Sequence, residues 1–215
     1  MMRLTKTLIL PAIFAVSVAA LGACGNAAVA QSGETAQATS STLAASTAAV
    51  KHWTVDPEAS YLKFTALQEG EPFEGQFKNF TADIQFDPDN LAASFVTVTV
   101  PISSADAGST DRNSTLPGKA WFSAKKFPEA VFEAKTFKTM GEGAYDAVGT
   151  LTIKGKSVPL SLPFTLDMEG DKAVMMSTLS MNRNDWDIGT KPWNTDEWVS
   201  TDVKLDIAVT ATLDK

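Results

Sequence analysis

The clearest pattern in this chain is alternation. Near the C-terminus, Val199, Thr201, Val203, Leu205, Ile207, Val209, Ala211 and Leu213 alternate with Ser200, Asp202, Lys204, Asp206, Ala208, Thr210 and Thr212. Period 2 is the mark of a strand with one buried face, because successive side chains leave a pleated backbone on opposite sides. This run exceeds the usual strand of about 5–6 residues, which predicts a long strand in a sheet that curls on itself. The same phase recurs at Leu62-Phe64-Ala66, Ala82-Ile84-Phe86, Val96-Val98-Val100-Ile102 and Tyr145-Ala147-Gly149-Leu151-Ile153. Lys154-Gly155-Lys156 is a hairpin turn, and Val158-Leu160-Leu162-Phe164-Leu166 returns from it. Asp87-Pro88-Asp89-Asn90 and Glu169-Gly170-Asp171 are further turns. Across residues 173–181 both faces carry Met, Val or Leu, so the pattern does not say which side is inward.

One segment interrupts the rhythm. Residues 109–122 do not alternate. Thr110-Asp111 would cap a short helix carrying Leu116, and Pro117-Gly118 would end it. A helical crossover or lid over one end of the sheet fits this stretch. Seven to nine strands with one helical excursion predict an all-β fold, an antiparallel lipocalin-like β-barrel. An immunoglobulin-like sandwich is the competitor, but it needs only about 100 residues, and this domain is longer.

The N-terminal residues read differently. Arg3 and Lys6 precede an apolar stretch at residues 8–20, shorter than the about 20 residues a membrane span requires. This is the layout of an export signal. Leu21-Gly22-Ala23-Cys24 resembles a lipobox, which would make residues 1–24 a signal peptide and Cys24 a lipidation site; Ala28-Val29-Ala30 offers an ordinary cleavage site instead. Cys24 is the single cysteine, and a lone cysteine in an exported protein needs an explanation that lipidation supplies. Residues 25–50 are rich in Ala, Ser and Thr, with Glu34 as their one charge, and read as a flexible tether. Residues 51–215 then form one domain, in a periplasmic, optionally membrane-anchored lipoprotein.

Composition mainly excludes. The net charge of −7 argues against nucleic acid, whose phosphates call for a basic face. The single histidine, His52, leaves little from which to build a Ser–His or Cys–His nucleophile, or a transition-metal site. No metal and no cofactor are expected. The acidic stretch with Asp185, Asp187, Asp196 and Glu197 is the one place where carboxylate chemistry on a lipid could be built. Phe64, Phe77, Phe86, Phe132, Phe164 and Leu205 are core candidates. A small barrel fills such an interior with side chains or holds an apolar ligand there. Arg183 and Trp186 are candidates to orient a ligand's polar head at the barrel mouth, or equally to cap the barrel end, with Arg183 paired to a carboxylate.

A series of short motifs, unspecific singly, is telling in its order. It runs Trp53-Thr54-Val55-Asp56 and Ser60-Tyr61-Leu62-Lys63-Phe64, then Gly75-Gln76-Phe77, Ile102-Ser103-Ser104, Asp111-Arg112-Asn113 and Trp121-Phe122. Phe127-Pro128, Gly149-Thr150-Leu151-Thr152-Ile153-Lys154-Gly155 and Arg183…Trp186…Ile188-Gly189 complete it. In this order the chain resembles the YceI-like family of bacterial periplasmic proteins. The resemblance implies a lipocalin-like barrel with a tunnel for polyisoprenoid chains such as those of isoprenoid quinones, and binding or carriage in place of catalysis. It also implies ligand contacts at Phe64, Phe77, Phe132, Leu151, Phe164 and Arg183, with Trp186 added from the mouth argument. Family members often carry histidines where this chain has Ala59 and residues 67–70, so any head-group contact made there has no counterpart here. The expected partner is an isoprenoid-type lipid, with the membrane reached through Cys24 and a homodimer left open. The rivals are a structural or stress-related module acting through protein partners without a lipid, and a lipid hydrolase or isomerase using the 185–197 carboxylates.

Overall fold

The computed structural model describes residues 51–215, so the signal, lipobox and tether expected over residues 1–50 lie outside the described residues. Ten strands follow in order: β1 (His52–Gln68), β2 (Glu71–Phe77), β3 (Thr81–Gln85), β4 (Phe95–Pro101), β5 (Ala105–Asp106), β6 (Glu129–Gly141), β7 (Ala144–Ile153), β8 (Lys156–Glu169), β9 (Lys172–Asn182) and β10 (Asp202–Leu213). One short helix, α1 (Thr110–Thr115), stands between β5 and β6. All pairings are antiparallel. Strand β1 meets β10 along most of its length, and its first residues, His52 and Trp53, also meet Gln85 and Ile84 of β3. That double pairing closes eight strands into a ring. The later half of β1 pairs instead with β2, which carries β5 on its outer edge. The barrel expected from the alternation is therefore the observed fold, and the sandwich is not.

Local sequence explains the joints. Glu69-Gly70 and Lys154-Gly155 both take left-handed backbone (φ 54° and 86°; 53° and 75°), the geometry that two-residue hairpin loops require. The helix is capped by Ser109 and not by Thr110-Asp111, because the Ser109 side chain accepts from the Arg112 N–H; Leu116 caps its other end. Lysine at 135 is a bulge in β6, where the register against β7 slips between Ala134 and Thr136, so Phe137 turns inward out of phase with Phe132. In β9 the inward residues are Ala173, Met175, Ser177 and Leu179, while Val174 and Met176 are exposed on the outside. This settles the face that the apolar run left open.

The two ends of the barrel differ. At the end where β1 begins and β10 ends, Phe86 packs against Phe137, Tyr145 and Phe164 with ring centroids 5.2–5.9 Å apart, and the Trp53 indole N–H donates to the Phe86 carbonyl. The opposite end is covered by the 101–128 connection with α1 and by the 183–201 connection; Val100, Ile102, Trp121, Ala130, Ile153, Trp186 and Ile188 form its core.

His52, at the ring closure, bridges strands. Its Nδ1 contacts Asp214 Oδ2, and its Nε2 lies 3.1 Å from Asp83 Oδ1. Hydrogen bonds to Asp214 first and Asp83 second raise its pKa above the ordinary 6.5. Hydrogen bonds from Thr54 first and His52 second lower Asp214 below 3.8. The contribution of His52 to stability is thus full below its unfolded value and fades as pH rises through the raised folded one. That of Asp214 is full above its unfolded value and fades as pH falls through the lowered one. His52→Gln is expected to lower the thermal midpoint most near about pH 5.5, with the difference shrinking by about pH 9. A pH series of melting curves reads this, and a difference that grew with pH would contradict it.

Candidate functional site

The interior of the ring is hollow. Phe164, Leu179, Leu205 and Ile207 all point inward, yet each is only half-buried, because they face empty space where a packed core would present atoms. The space forms two adjoining chambers. The upper one, about 190 Å³, lies toward the aromatic cluster of Phe86, and every side chain lining it is apolar. The lower one, about 290 Å³, lies toward α1. Leu62, Val100, Ala130, Leu151 and Leu205 belong to both linings and mark the waist between them. Together they reach the size of small-molecule sites, roughly 300–1,000 Å³.

The lower chamber differs in polarity. Gln68, Asp111, Arg112, Thr115 and Arg183 join its lining. Gln68, Asp111 and Thr115 are exposed, so the chamber reaches the surface beside α1. Phe64 reaches into it with room made by Gly75, where an added Cβ would collide with the Phe64 ring. Phe77 packs on Phe64 at 5.7 Å and on Phe122 at 6.2 Å. Trp121 also lines it, and its indole N–H is a buried donor with no acceptor among the described residues.

The residues expected to form the site divide clearly. Phe132 and Phe164 line the upper chamber, Phe64, Phe77 and Arg183 the lower, and Leu151 both. Trp186 lines neither, which corrects its expected place at the mouth. It is buried behind the wall, and its indole N–H donates to the Leu151 carbonyl at 2.8 Å. Arg183 is a knot, too, but not through a carboxylate. Its guanidinium donates to the carbonyls of Ser200, Ile188, Trp193 and Val199, with longer contacts to Gly189 and Thr195, and lies 5.3 Å above the Trp121 ring. Gly189 leaves the room this needs, since a Cβ there would collide with Nη1. Burial pushes the guanidinium pKa below its ordinary value, while the charge of Asp196 acts in the opposite direction. Both candidates at this end therefore hold the fold of the 183–201 connection.

The carboxylates of that connection do not converge. Asp185, Asp187, Asp196 and Glu197 line neither chamber. Asp187 meets Lys156, and Asp196 accepts from the Thr201 N–H and hydroxyl, which hold its carboxyl below the usual range. Among the described residues no group of three His, Cys, Asp or Glu side chains is placed to hold a metal ion.

The residue that sequence reasoning passed over is Arg112. It appeared only within Asp111-Arg112-Asn113, and it became visible as a site residue once the fold brought α1 to the rim of the lower chamber.

Arg183→Lys should cost stability. A single ammonium cannot span carbonyls contributed by Ile188, Trp193, Val199 and Ser200, and stranding two or three of them costs about 3 kcal/mol. Urea denaturation would register this as a lower midpoint, and an unchanged midpoint would show that Arg183 does not knot the connection.

The comparisons with known proteins agree with this geometry. The model of the YceI-like domain matches residues 53–211. A "UPF0312 protein" of Yersinia pestis (strain Pestoides F) is 35% identical over 97 residues, 45% of this chain and 50% of that protein, so the match spans about half the length of such relatives. The crystal structure of Burkholderia cenocepacia BcnA superposes with a TM-score of 0.71 at 31% identity, covering 74% of this chain and 100% of that one. A polyisoprenoid binding domain from Saccharophagus degradans, implicated in plant cell wall breakdown, superposes with a TM-score of 0.61 at 15% identity, covering 75% and 98%; it shares the fold.

Proposed function

This chain belongs to the YceI-like family, and from that premise we propose that it binds a long apolar chain of isoprenoid type inside the barrel, for carriage or storage, without transforming it. The hollow interior is the observation that carries this reading. Two adjoining chambers with a largely apolar lining offer walls that gain about 25 cal/mol for each Å² of apolar surface that a ligand covers. Such a site needs no motif beyond shape and apolarity, which fits the dispersion of its residues over nearly every strand. The polyisoprenoid-binding domain of Saccharophagus degradans, with the same fold, supports the choice of ligand class. The place of action we assign is the periplasm, reached through the export pattern at residues 1–24, with the membrane held through an acylated Cys24. The ligand class extends to isoprenoid quinones, whose apolar tails match the upper chamber and whose rings are polar enough for the lower one.

The direct test is organic extraction and mass spectrometry of protein purified from its native type of host without detergent. A stoichiometric isoprenoid is expected; an empty protein that also refuses added isoprenoids would overturn the reading. A substitution at the waist sharpens the test. Leu205 lines both chambers, so Leu205→Trp would fill the passage between them. Because the added ring occupies existing space, the ligand-free variant should melt no lower than the wild type, while isoprenoid binding falls at least about tenfold. Unchanged binding in a folded Leu205→Trp protein would place the ligand elsewhere.

A further inference from the structure

Two arginines line the lower chamber, and they are not equivalent. The Arg183 donors are taken up by backbone carbonyls. Arg112 is held on one side only. Its Nε donates to the Ala107 carbonyl at 2.8 Å and its Nη1 to Gln68 Oε1 at 3.0 Å, while Nη2 meets no acceptor among the described residues. The guanidinium carbon lies over the Phe73 ring, 4.4 Å from its centroid. It forms no ion pair among the described residues, in a chain whose net charge is −7.

The support beneath it is built. Asn113 accepts from the Ala107 N–H and donates to Asp106 Oδ1, which also accepts from the Gly108 N–H. Lys78, just after β2, pairs with Asp106 and, as the first cause, holds that carboxyl well below the usual range. The Ala107 carbonyl that grips Arg112 is thereby fixed, and so is the guanidinium at the rim. Phe73 and Gln68, its other two contacts, belong to the same lining.

Resting on the lipid-binding reading above, we infer that Arg112 is the head-group residue of the site: it donates to an uncharged hydrogen-bond acceptor, of carbonyl type, on the ligand's polar end. The polarity of the chambers sets the direction. The upper chamber has only apolar side chains, so the tail runs there and the head stays in the lower one. Charge sets the class. Besides Arg112 the lining holds Asp111 and the saturated Arg183, and Lys78 is engaged by Asp106. A diphosphate would bring several negative charges to one available cation beside a carboxylate, whereas a quinone carbonyl matches the single free edge of the guanidinium.

The test compares three probes with the same chain: farnesene, a farnesylated benzoquinone and farnesyl diphosphate. The wild type is expected to bind the benzoquinone roughly 10–100-fold more tightly than farnesene, the range of one charge-assisted hydrogen bond, and to give the diphosphate no advantage over the benzoquinone. In Arg112→Met the benzoquinone should fall to the level of farnesene while farnesene binding stays as it was. Should that variant not fold, ¹⁵N spectra of the wild-type arginine side chains decide: the Arg112 resonances should shift with the benzoquinone and not with farnesene. A benzoquinone preference that survives Arg112→Met, Arg112 resonances indifferent to the head group, or a diphosphate that binds best would each overturn the assignment while leaving lipid binding in place. Failure of the wild type to bind any of the three would instead overturn the lipid-binding reading, and this one with it.

Discussion

Closure of the ring through β1 is the constraint on which the rest depends. A sheet with free edges must blunt or cover them, whereas a sheet closed into a ring leaves no edge along its wall to protect. Here β1 pairs with β10 on one side and with β3 and then β2 on the other, so the wall is held by its own hydrogen bonds. A wall of that kind tolerates an interior that is only partly filled. The penalty is real: by the cavity cost seen in engineered voids, an empty space of this size is worth on the order of 10 kcal/mol. The knots at the two ends offset it. Trp53 is tied to Phe86, Trp186 to Leu151, and Arg183 gathers three stretches of backbone, at Ile188, Trp193 and Val199–Ser200. Each acts at the end of the barrel, where it stiffens the wall without occupying the chambers.

The same logic explains why buried polar groups divide as they do. A charge buried without partners is costly, so Arg183 at 4% exposure is tolerable only because its donors are satisfied. Arg112, half-buried at the rim, can keep a free edge at little cost because water reaches it. The Trp121 indole N–H is the exception. It is buried and meets no acceptor among the described residues, which is a cost to the folded state.

The fold was legible because its signal is local and repeated. Alternation at residues 82–86, 96–100, 145–153, 158–166 and 203–213 gave both the strands and their inward faces, since register in a one-sided sheet follows from which residues are apolar. The exceptions have local causes. Across β9 the exposed Val174 and Met176 erased the contrast with inward Met175, and the bulge at residue 135 put Phe137 out of phase. The candidate site was legible in part for the same reason. Phe64, Phe77, Phe132, Leu151 and Phe164 sit on inward faces that the pattern exposes. Trp186 and Arg112 do not, because neither belongs to a strand: one follows β9 in a 3₁₀ turn and the other lies on α1. Their roles depend on where long connections land, which is a property of the closed ring and not of any window of sequence.

The two ends also assign a direction of traffic. At the upper end Phe86, Phe137, Tyr145 and Phe164 interlock edge to face, with Trp53 and Phe86 both more than nine-tenths buried. Opening a path there would break several aromatic contacts and the Trp53 hydrogen bond at once. The lower end is covered by connections, not strands, and its chamber already meets the surface at Gln68, Asp111 and Thr115. Displacing a connection breaks few ladder hydrogen bonds, so the lower end is where a chain can enter with least disruption. An amphiphile entering there tail first places its tail in the dry upper chamber and its head beside α1. On the lipid-binding reading proposed above, the polar rim beside α1 is both the entrance and the place where the head group comes to rest.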